Sequence, residues 1–137
     1  MISIQSQFRV RYAETDQMGF VYYANYAVYF EVGRTDLTRS VGLPYAMLEE
    51  EHNLLLPVIS LHIDYKQPAR YDELITLKTM MREKPTVKIG FDYELHNEKN
   101  ELLVTGKVVL AFVRKDTGMP CRPPRLLMEA IEKKWER

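Results

Sequence analysis

The sequence has a single cysteine, Cys121, and no excess of charge of either sign. One cysteine cannot form a disulfide within the chain, so nothing requires an oxidising compartment. Nineteen Lys and Arg residues balance nineteen Asp and Glu residues, which excludes a global basic field for nucleic acid or an anionic membrane. No run of about 18 apolar residues could span a bilayer, and the first residues lack the apolar core of a signal peptide. We therefore expect a cytoplasmic protein that binds no nucleic acid and inserts into no membrane.

Sequence patterns for metal and nucleotide chemistry are also missing. One cysteine and three scattered histidines, His52, His62 and His96, offer no close pair of zinc ligands. The chain has no Gly-x-Ser-x-Gly nucleophile elbow, no P-loop and no dinucleotide fingerprint. We expect no metal and no resident cofactor, and we interpret His62 and His96 as surface residues.

Hydrophobic periodicity predicts the secondary structure. The 137 residues are 46% hydrophobic, which is typical of one globular domain over 1–137. Alternating apolar and polar residues predict strands over 6–12, 57–66 and 86–96 and, less cleanly, over 73–83. A fifth strand is predicted over 102–114, which is apolar on both faces near Val108 to Val113, as is typical of a central strand. Apolar residues three and four positions apart predict a long helix over 25–40 and shorter helices over 45–52 and 124–135.

Two finer expectations concern the long helix and the strands. Asn25 is the expected N-cap of the long helix and Gly42 its expected stop. The alternation over 57–66 and 86–96 predicts one buried and one exposed face for each strand. Because one long helix cannot cover both faces of a five-stranded sheet, we expect the sheet to wrap around the helix.

The loop between the first strand and the long helix carries the candidate chemistry. Asp16 precedes the predicted helix N-terminus, where free N–H groups favour negative charge and can bind an oxyanion. Gly19 permits a backbone shape that is closed to larger residues. The aromatic run over 20–23 would line a cavity and, by excluding water, strengthen the polar contacts inside it. Spacing alone leaves open the alternative that Asp16 only caps or shapes a turn.

Two sequence motifs, in order along the chain, give more specific evidence than the spacing does. The first is Tyr12-x-x-Thr15-Asp16-x-x-Gly19-x-Val21-x-Tyr23-x-Asn25-Tyr26, continued by Phe30-Glu31-x-x-Arg34, and the second is Ile63-Asp64-Tyr65-x-x-Pro68-Ala69-Arg70-Tyr71-Asp72-x-Leu74. Together they resemble the 4-hydroxybenzoyl-CoA thioesterase family, and within it the bacterial short acyl-CoA thioesterases associated with the Tol–Pal cell-envelope system. The resemblance extends over about residues 5–125.

The resemblance implies an α+β hot-dog fold, in which a five-stranded antiparallel sheet wraps around one long helix. It implies hydrolysis of an acyl-CoA thioester, with Asp16 as nucleophile or general base and the backbone N–H of Tyr23 polarising the carbonyl. Coenzyme A is then part of the substrate. The residues expected to bind substrate are Gly19, Val21, Tyr22, Tyr26 and Arg122, the last against the CoA phosphates, with Lys66, Lys88 and Arg114 as weaker candidates.

The family also implies a homodimer or homotetramer with active sites at the dimer interface. Three alternatives remain open at this point. The acyl carrier could be acyl carrier protein instead of CoA, the chain could be a non-catalytic acyl-CoA-binding module, or it could be a hydratase in which a histidine such as His62 assists Asp16. For Tyr26, packing in the core is favoured over lining a pocket.

Overall fold

The structure, a computed structural model, describes residues 1–135 apart from the side chain of Tyr45. Five antiparallel strands form the main sheet: β1 (Ile2–Arg9), β3 (Val58–Tyr65), β4 (Leu74–Met81), β5 (Lys88–His96) and β6 (Leu102–Ala111). Their order in the sheet is β1-β4-β5-β6-β3. A second small sheet, which the sequence did not predict, pairs β2 (Leu54–Leu55) with β7 (Val113–Arg114).

Three helices complete the fold: α1 (Asn25–Ser40), α2 (Tyr45–His52) and α3 (Arg125–Lys134). Their predicted positions are confirmed, and Gly42, with φ of +90°, follows the end of α1 as expected. The apolar stripe of α1 packs against the concave face of the sheet and is buried at Phe30 and Leu37. No helix in the described part of the chain is long and apolar enough to cross a membrane.

Two predictions near the start of the chain are wrong. The N-cap of α1 is Ala24, which makes no side-chain capping bond, and Asn25 is already helical. The first strand is Ile2–Arg9, because its register with β4 continues well beyond the segment whose alternation is clear in the sequence. The chain then enters a short 3-10 turn at Tyr12–Glu14, so the side chain of Tyr12 is exposed.

The strands β5 and β3 behave differently although both alternate in sequence. In β5 the apolar residues are buried, as predicted. In β3 the predicted buried face is only partly covered: Ile63 packs against the core, but the side chains of Ile59, Leu61 and Tyr65 are each about half exposed. Among the described residues β3 is an edge strand that pairs with β6 alone, and α1 packs mainly against β1 and β4. The described fold therefore has an apolar strand at a free sheet edge, which is where another chain can add.

Candidate active site

The segment from Thr15 to Tyr23, here called the Asp16 loop, folds back on itself. Thr15 and Val21 form an isolated antiparallel bridge, and the backbone N–H of Asp16 donates to the carbonyl oxygen of Phe20 at 2.8 Å. Gly19 has φ of +79°, a conformation that favours glycine. The backbone shape expected of Gly19 is therefore confirmed, and the loop is a defined turn.

Backbone amides hold the Asp16 carboxylate from one side. Its Oδ1 accepts the N–H of Met18 at 2.8 Å and that of Phe20 at 3.2 Å. Within residues 1–135, no group donates a hydrogen bond to Oδ2. The side chain is partly exposed. One oxygen thus fixes the orientation of the carboxylate, and the other is unused by the protein.

The backbone N–H of Tyr23 is the second unused group. Among the described residues, none accepts a hydrogen bond from it. The same peptide plane carries the carbonyl of Tyr22, which accepts the N–H of Asn25 at 2.8 Å, and the N–H of Tyr22 donates to the carbonyl of Glu14 at 2.9 Å. These hydrogen bonds, one on each side of the Tyr22 residue, therefore fix the direction of the Tyr23 N–H. An oriented carboxylate oxygen and an oriented free N–H on one loop can attack and stabilise a polarised carbonyl group.

The remaining candidate site residues on the Asp16 loop and α1 are either exposed at the surface or buried in the core. The rings of Tyr22 and Tyr23 are exposed and lie 4.9 Å apart between centroids. Val21 and Tyr26 are buried, and both bond to Ala69: the Val21 N–H donates to its carbonyl at 2.8 Å, and the Tyr26 hydroxyl accepts its N–H at 3.2 Å. Burial raises the pKa of Tyr26. Tyr26 therefore packs in the core and supports the Asp16 loop through Ala69. This agrees with the interpretation of Tyr26 as a core residue.

Arg122 lies at the other end of the sheet. It follows Cys121, whose N–H donates to the carbonyl of Phe112, just beyond the end of β6. Lys66, next to the Asp16 loop, instead donates its N–H to the carbonyl of Leu103, near the start of β6. The length of β6 separates the two ends by roughly 30 Å. Within one chain, the structure does not bring Arg122 and Asp16 together. A cavity of about 440 Å³ adjoins Arg122, lined by Pro85, Thr86, Val87, Arg122, Pro123 and Met128.

The weaker candidates are divided between the same two ends. Lys66 follows β3 beside the Asp16 loop, and Lys88 begins β5 at the Arg122 end. Arg114 is paired with Asp116 at 3.3 Å. His62 is exposed, as predicted, and its Nε2 lies 3.0 Å from Oδ2 of Asp64. The described residues contain no group of three or more possible metal ligands.

Sequence reasoning missed two residues of this region, Glu14 and Tyr65. Glu14 is a carboxylate only 12% exposed, paired with Arg11 at 2.8 Å. The spacing Arg11-x-x-Glu14 was the available signal, since it places both residues on one turn. Tyr65 donates from its hydroxyl to the carbonyl of Tyr23 at 3.3 Å. No local pattern indicates that contact, which joins residues 42 positions apart.

Comparison with known proteins identifies the family of the chain. The model of the thioesterase-like superfamily matches residues 10–131. YneP of Bacillus subtilis, provisionally named an acyl-CoA thioesterase, is 37% identical over 116 residues, which cover 85% of this chain and 83% of YneP. The acyl-CoA thioesterase YbgC of Haemophilus influenzae is 35% identical over 101 residues, covering 74% and 73%.

Solved structures show the same fold. The DHNA-CoA thioesterase of Staphylococcus aureus superposes with a TM-score of 0.90 at 37% identity, covering 97% of this chain and 91% of its own. A mutant 4-hydroxybenzoyl CoA thioesterase in complex with 4-hydroxybenzoyl CoA superposes with a TM-score of 0.83 at 19% identity, covering 93% and 97%. The expected hot-dog fold, a five-stranded antiparallel sheet around one long helix, is confirmed.

Proposed function

Because this chain belongs to the thioesterase-like superfamily, we propose that it hydrolyses an acyl-CoA thioester to a free acid and CoA, with Asp16 as the catalytic carboxylate. Membership of the thioester hydrolases agrees with its relatives, which are named as enzymes of that class. One observation carries the assignment of the site. The unused Oδ2 of Asp16 and the unused N–H of Tyr23 lie on the same folded-back segment.

In the proposed reaction, the thioester carbonyl oxygen accepts the Tyr23 N–H, which stabilises the negative charge that develops on that oxygen. Oδ2 of Asp16 either attacks the carbonyl carbon or takes a proton from an attacking water. In the first route CoA leaves as the thiolate, and water hydrolyses the mixed anhydride. In the second route water adds directly. Both routes consume one water and need no cofactor.

We further propose that the active unit is a homodimer, alone or within a tetramer, in which β3 pairs with β3 of a second copy. The half-exposed apolar side chains of Ile59, Leu61 and Tyr65 support this interface. A two-fold axis that joins two identical edge strands into one sheet makes them antiparallel. The start of β3 in one copy then lies beside the end of β3 in the other.

This pairing accounts for the position of Arg122. The carbonyl of Pro57, just before β3, accepts the N–H of Ala111, which places the start of β3 at the Arg122 end of the sheet. The end of β3 lies at the Asp16 loop, through Tyr65. Antiparallel pairing therefore brings Arg122 of one copy toward Asp16 of the other. We propose that Arg122 contacts the CoA phosphates of a substrate whose acyl group lies at the partner's site.

The experiment that tests the function is thiol release from acyl-CoA substrates with short, long and aromatic acyl groups. Asp16→Asn keeps the size of the side chain and removes its charge, so we expect turnover to fall by at least about 1,000-fold with binding largely kept. Glu129→Gln on α3, which also removes one exposed carboxylate, serves as the control and should match the wild type. Near-wild-type turnover by Asp16→Asn would overturn the role of Asp16.

The same assay separates the alternatives. Matched thioesters on CoA and on acyl carrier protein show which carrier the enzyme prefers. Binding of acyl-CoA without thiol release from any substrate would contradict the proposed activity and leave the binding module and the hydratase. Heavy oxygen that passes from labelled water into Asp16 during a single turnover would identify the covalent route.

A further inference from the structure

Glu14 is a charged side chain in an enclosed position, and the proposed reaction does not use it. Its side chain is only 12% exposed, although carboxylates are rarely buried unless they are paired. It lies two residues before Asp16. The contacts of Glu14 therefore influence the position of the Asp16 loop.

Both oxygens of the Glu14 carboxylate are fully engaged. Oε1 accepts the backbone N–H of Arg11 at 2.9 Å and the hydroxyl of Tyr29 at 3.1 Å. Oε2 accepts Nη2 of Arg11 at 2.8 Å and its Nε at 3.2 Å. No oxygen of this carboxylate is left for a substrate, so the role of Glu14 is not direct contact with the reacting atoms.

The contact with Tyr29 connects the loop to the core. Tyr29 lies one turn into α1, is only 2% exposed, and packs against Phe8 of β1 with 4.9 Å between the ring centroids. Glu14 is therefore bonded to a side chain that α1 and β1 hold in place. Buried hydrogen bonds to a charged group are among the stronger polar contacts in proteins.

The backbone of Glu14 connects the same point to the other half of the site. Its carbonyl oxygen accepts the N–H of Tyr22 and the side-chain amide of Asn25, both at 2.9 Å. Tyr22 immediately precedes Tyr23, which carries the proposed carbonyl donor. One residue thus fixes the turn that leads into Asp16, the peptide next to Tyr23 and the first turn of α1.

From these contacts we propose that Glu14 is a positioning residue, which sets the distance between the Asp16 carboxylate and the Tyr23 N–H by anchoring the Asp16 loop to Tyr29. The proposal rests on the proposed function of Asp16 and deepens it. Its physical basis is that catalysis depends on the alignment of reacting groups, so that a misplacement of about 1 Å can cost about 100-fold in rate. Glu14 acts through Asp16 and Tyr23.

The test uses Glu14→Gln and Tyr29→Phe in the full chain. We expect Glu14→Gln to lower kcat by about 10- to 100-fold with KM within about twofold of the wild type, because alignment and not binding is lost. Tyr29→Phe keeps the Arg11 contacts and should lower kcat less. Glu129→Gln removes a carboxylate from the exposed ion pair with Arg125 and should change neither constant.

Hydrogen exchange of individual amides supplies a readout that does not depend on activity. The amides of Met18, Phe20 and Tyr22 donate the bonds that define the loop. In Glu14→Gln and Tyr29→Phe they should exchange faster, with protection of β5 unchanged, since local opening differs from global unfolding. If Glu14→Gln fails to fold, Tyr29→Phe, which removes a single hydroxyl, decides the question.

Two results would overturn the positioning role. One is a variant that melts earlier but keeps the kcat of the wild type below its melting temperature. The other is unchanged exchange at all three amides. A wild-type protein that releases no thiol would instead contradict the proposed function, and the exchange data would still report whether Glu14 orders the loop.

Discussion

The hydroxyl of Tyr65 donates a hydrogen bond to the backbone carbonyl of Tyr23, with 3.3 Å between the two oxygens. Tyr65 is the last residue of β3, whose other side pairs with no strand of residues 1–135, and Tyr23 bears the N–H proposed to polarise the substrate. The contact places the candidate site against the free edge of the sheet. A chain that pairs with β3 would therefore border the site as well.

A mixed dimer tests whether the site is shared between two copies. We expect Asp16→Asn to abolish turnover and Arg122→Ala to raise KM for acyl-CoA, since it removes a phosphate contact. In a mixed dimer of the two variants, one site carries both substitutions and the other carries neither. Because the second site is complete, each mixed dimer should have one site with the kcat and KM of the wild type, and random pairing makes about half of the dimers mixed.

The measurement is thiol release after the two purified variants are unfolded, mixed and refolded together, with the mass of the assembly checked by light scattering. Each variant refolded alone is the control. The rates are compared at acyl-CoA concentrations well below the raised KM of Arg122→Ala, where neither parent turns over efficiently. A mixture whose rate there is only the average of the two parents would contradict a shared site, because Asp16 and Arg122 would then serve the same site from one chain.

The role assigned to Tyr23 belongs to its amide and not to its ring. Tyr23→Ala keeps the N–H, so we expect kcat within about threefold of the wild type, whatever happens to KM. Tyr23→Pro removes the N–H, and we expect kcat to fall by about 100- to 1,000-fold, the range for loss of one oxyanion donor. Steady-state kinetics checks this, with circular dichroism to verify folding. Equal kcat values for the two variants would show that the amide takes no part.

The sequence was sufficient for features that local patterns determine. The apolar stripe of α1 predicted its span, and Gly42 marked its end. The loop motif predicted the residue, Gly19, that takes a positive φ. In each case the determining interactions lie within a few residues along the chain, where periodicity and conformational preference are informative.

Features that depend on distant pairing could not be predicted. Alternation in β3 indicates an apolar face but not that this face is only partly covered, which depends on the strands against which α1 packs. The hydrogen bond between Glu14 and Tyr29 depends on how α1 packs beside Glu14, and no local sequence pattern indicates it. The capping assignment of Asn25 failed because its side chain bonds to Glu14, which comes 11 residues earlier.

Gly33 is the residue of α1 whose size the sheet restricts most clearly. A Cβ at this position would clash with Oγ1 of Thr79 and would lie 2.8 Å from Cδ2 of Leu77. We expect Gly33→Ala to lower the free energy of unfolding by about 1–3 kcal/mol, although alanine favours helix, because overpacking outweighs propensity. Denaturant unfolding measures this. Gly90→Ala in β5 is the matched control, since its Cβ would meet no atom closer than 3.9 Å; a loss in Gly90→Ala as large as in Gly33→Ala would contradict the steric argument.

The ionisation of Glu14 gives the fold a dependence on pH. Burial favours the neutral acid, but hydrogen bonds from Arg11 and Tyr29 and the charge of Arg11 outweigh it and hold the pKa of Glu14 below its ordinary value of 4.5. A carboxyl whose pKa is lowered by folding stabilises the native state above its unfolded pKa, and this stabilisation is lost as the pH falls through the folded pKa.

We therefore expect the melting temperature of Glu14→Gln to lie below that of the wild type by a constant amount at pH above about 5.5, and the difference to shrink as the pH falls below 4.5. Thermal unfolding across pH 3–7, followed by circular dichroism, makes the comparison. Glu129→Gln should follow the wild type at every pH, because an exposed ion pair contributes little. A gap between Glu14→Gln and the wild type that stays constant down to pH 3 would mean that the charge of Glu14 does not stabilise the fold.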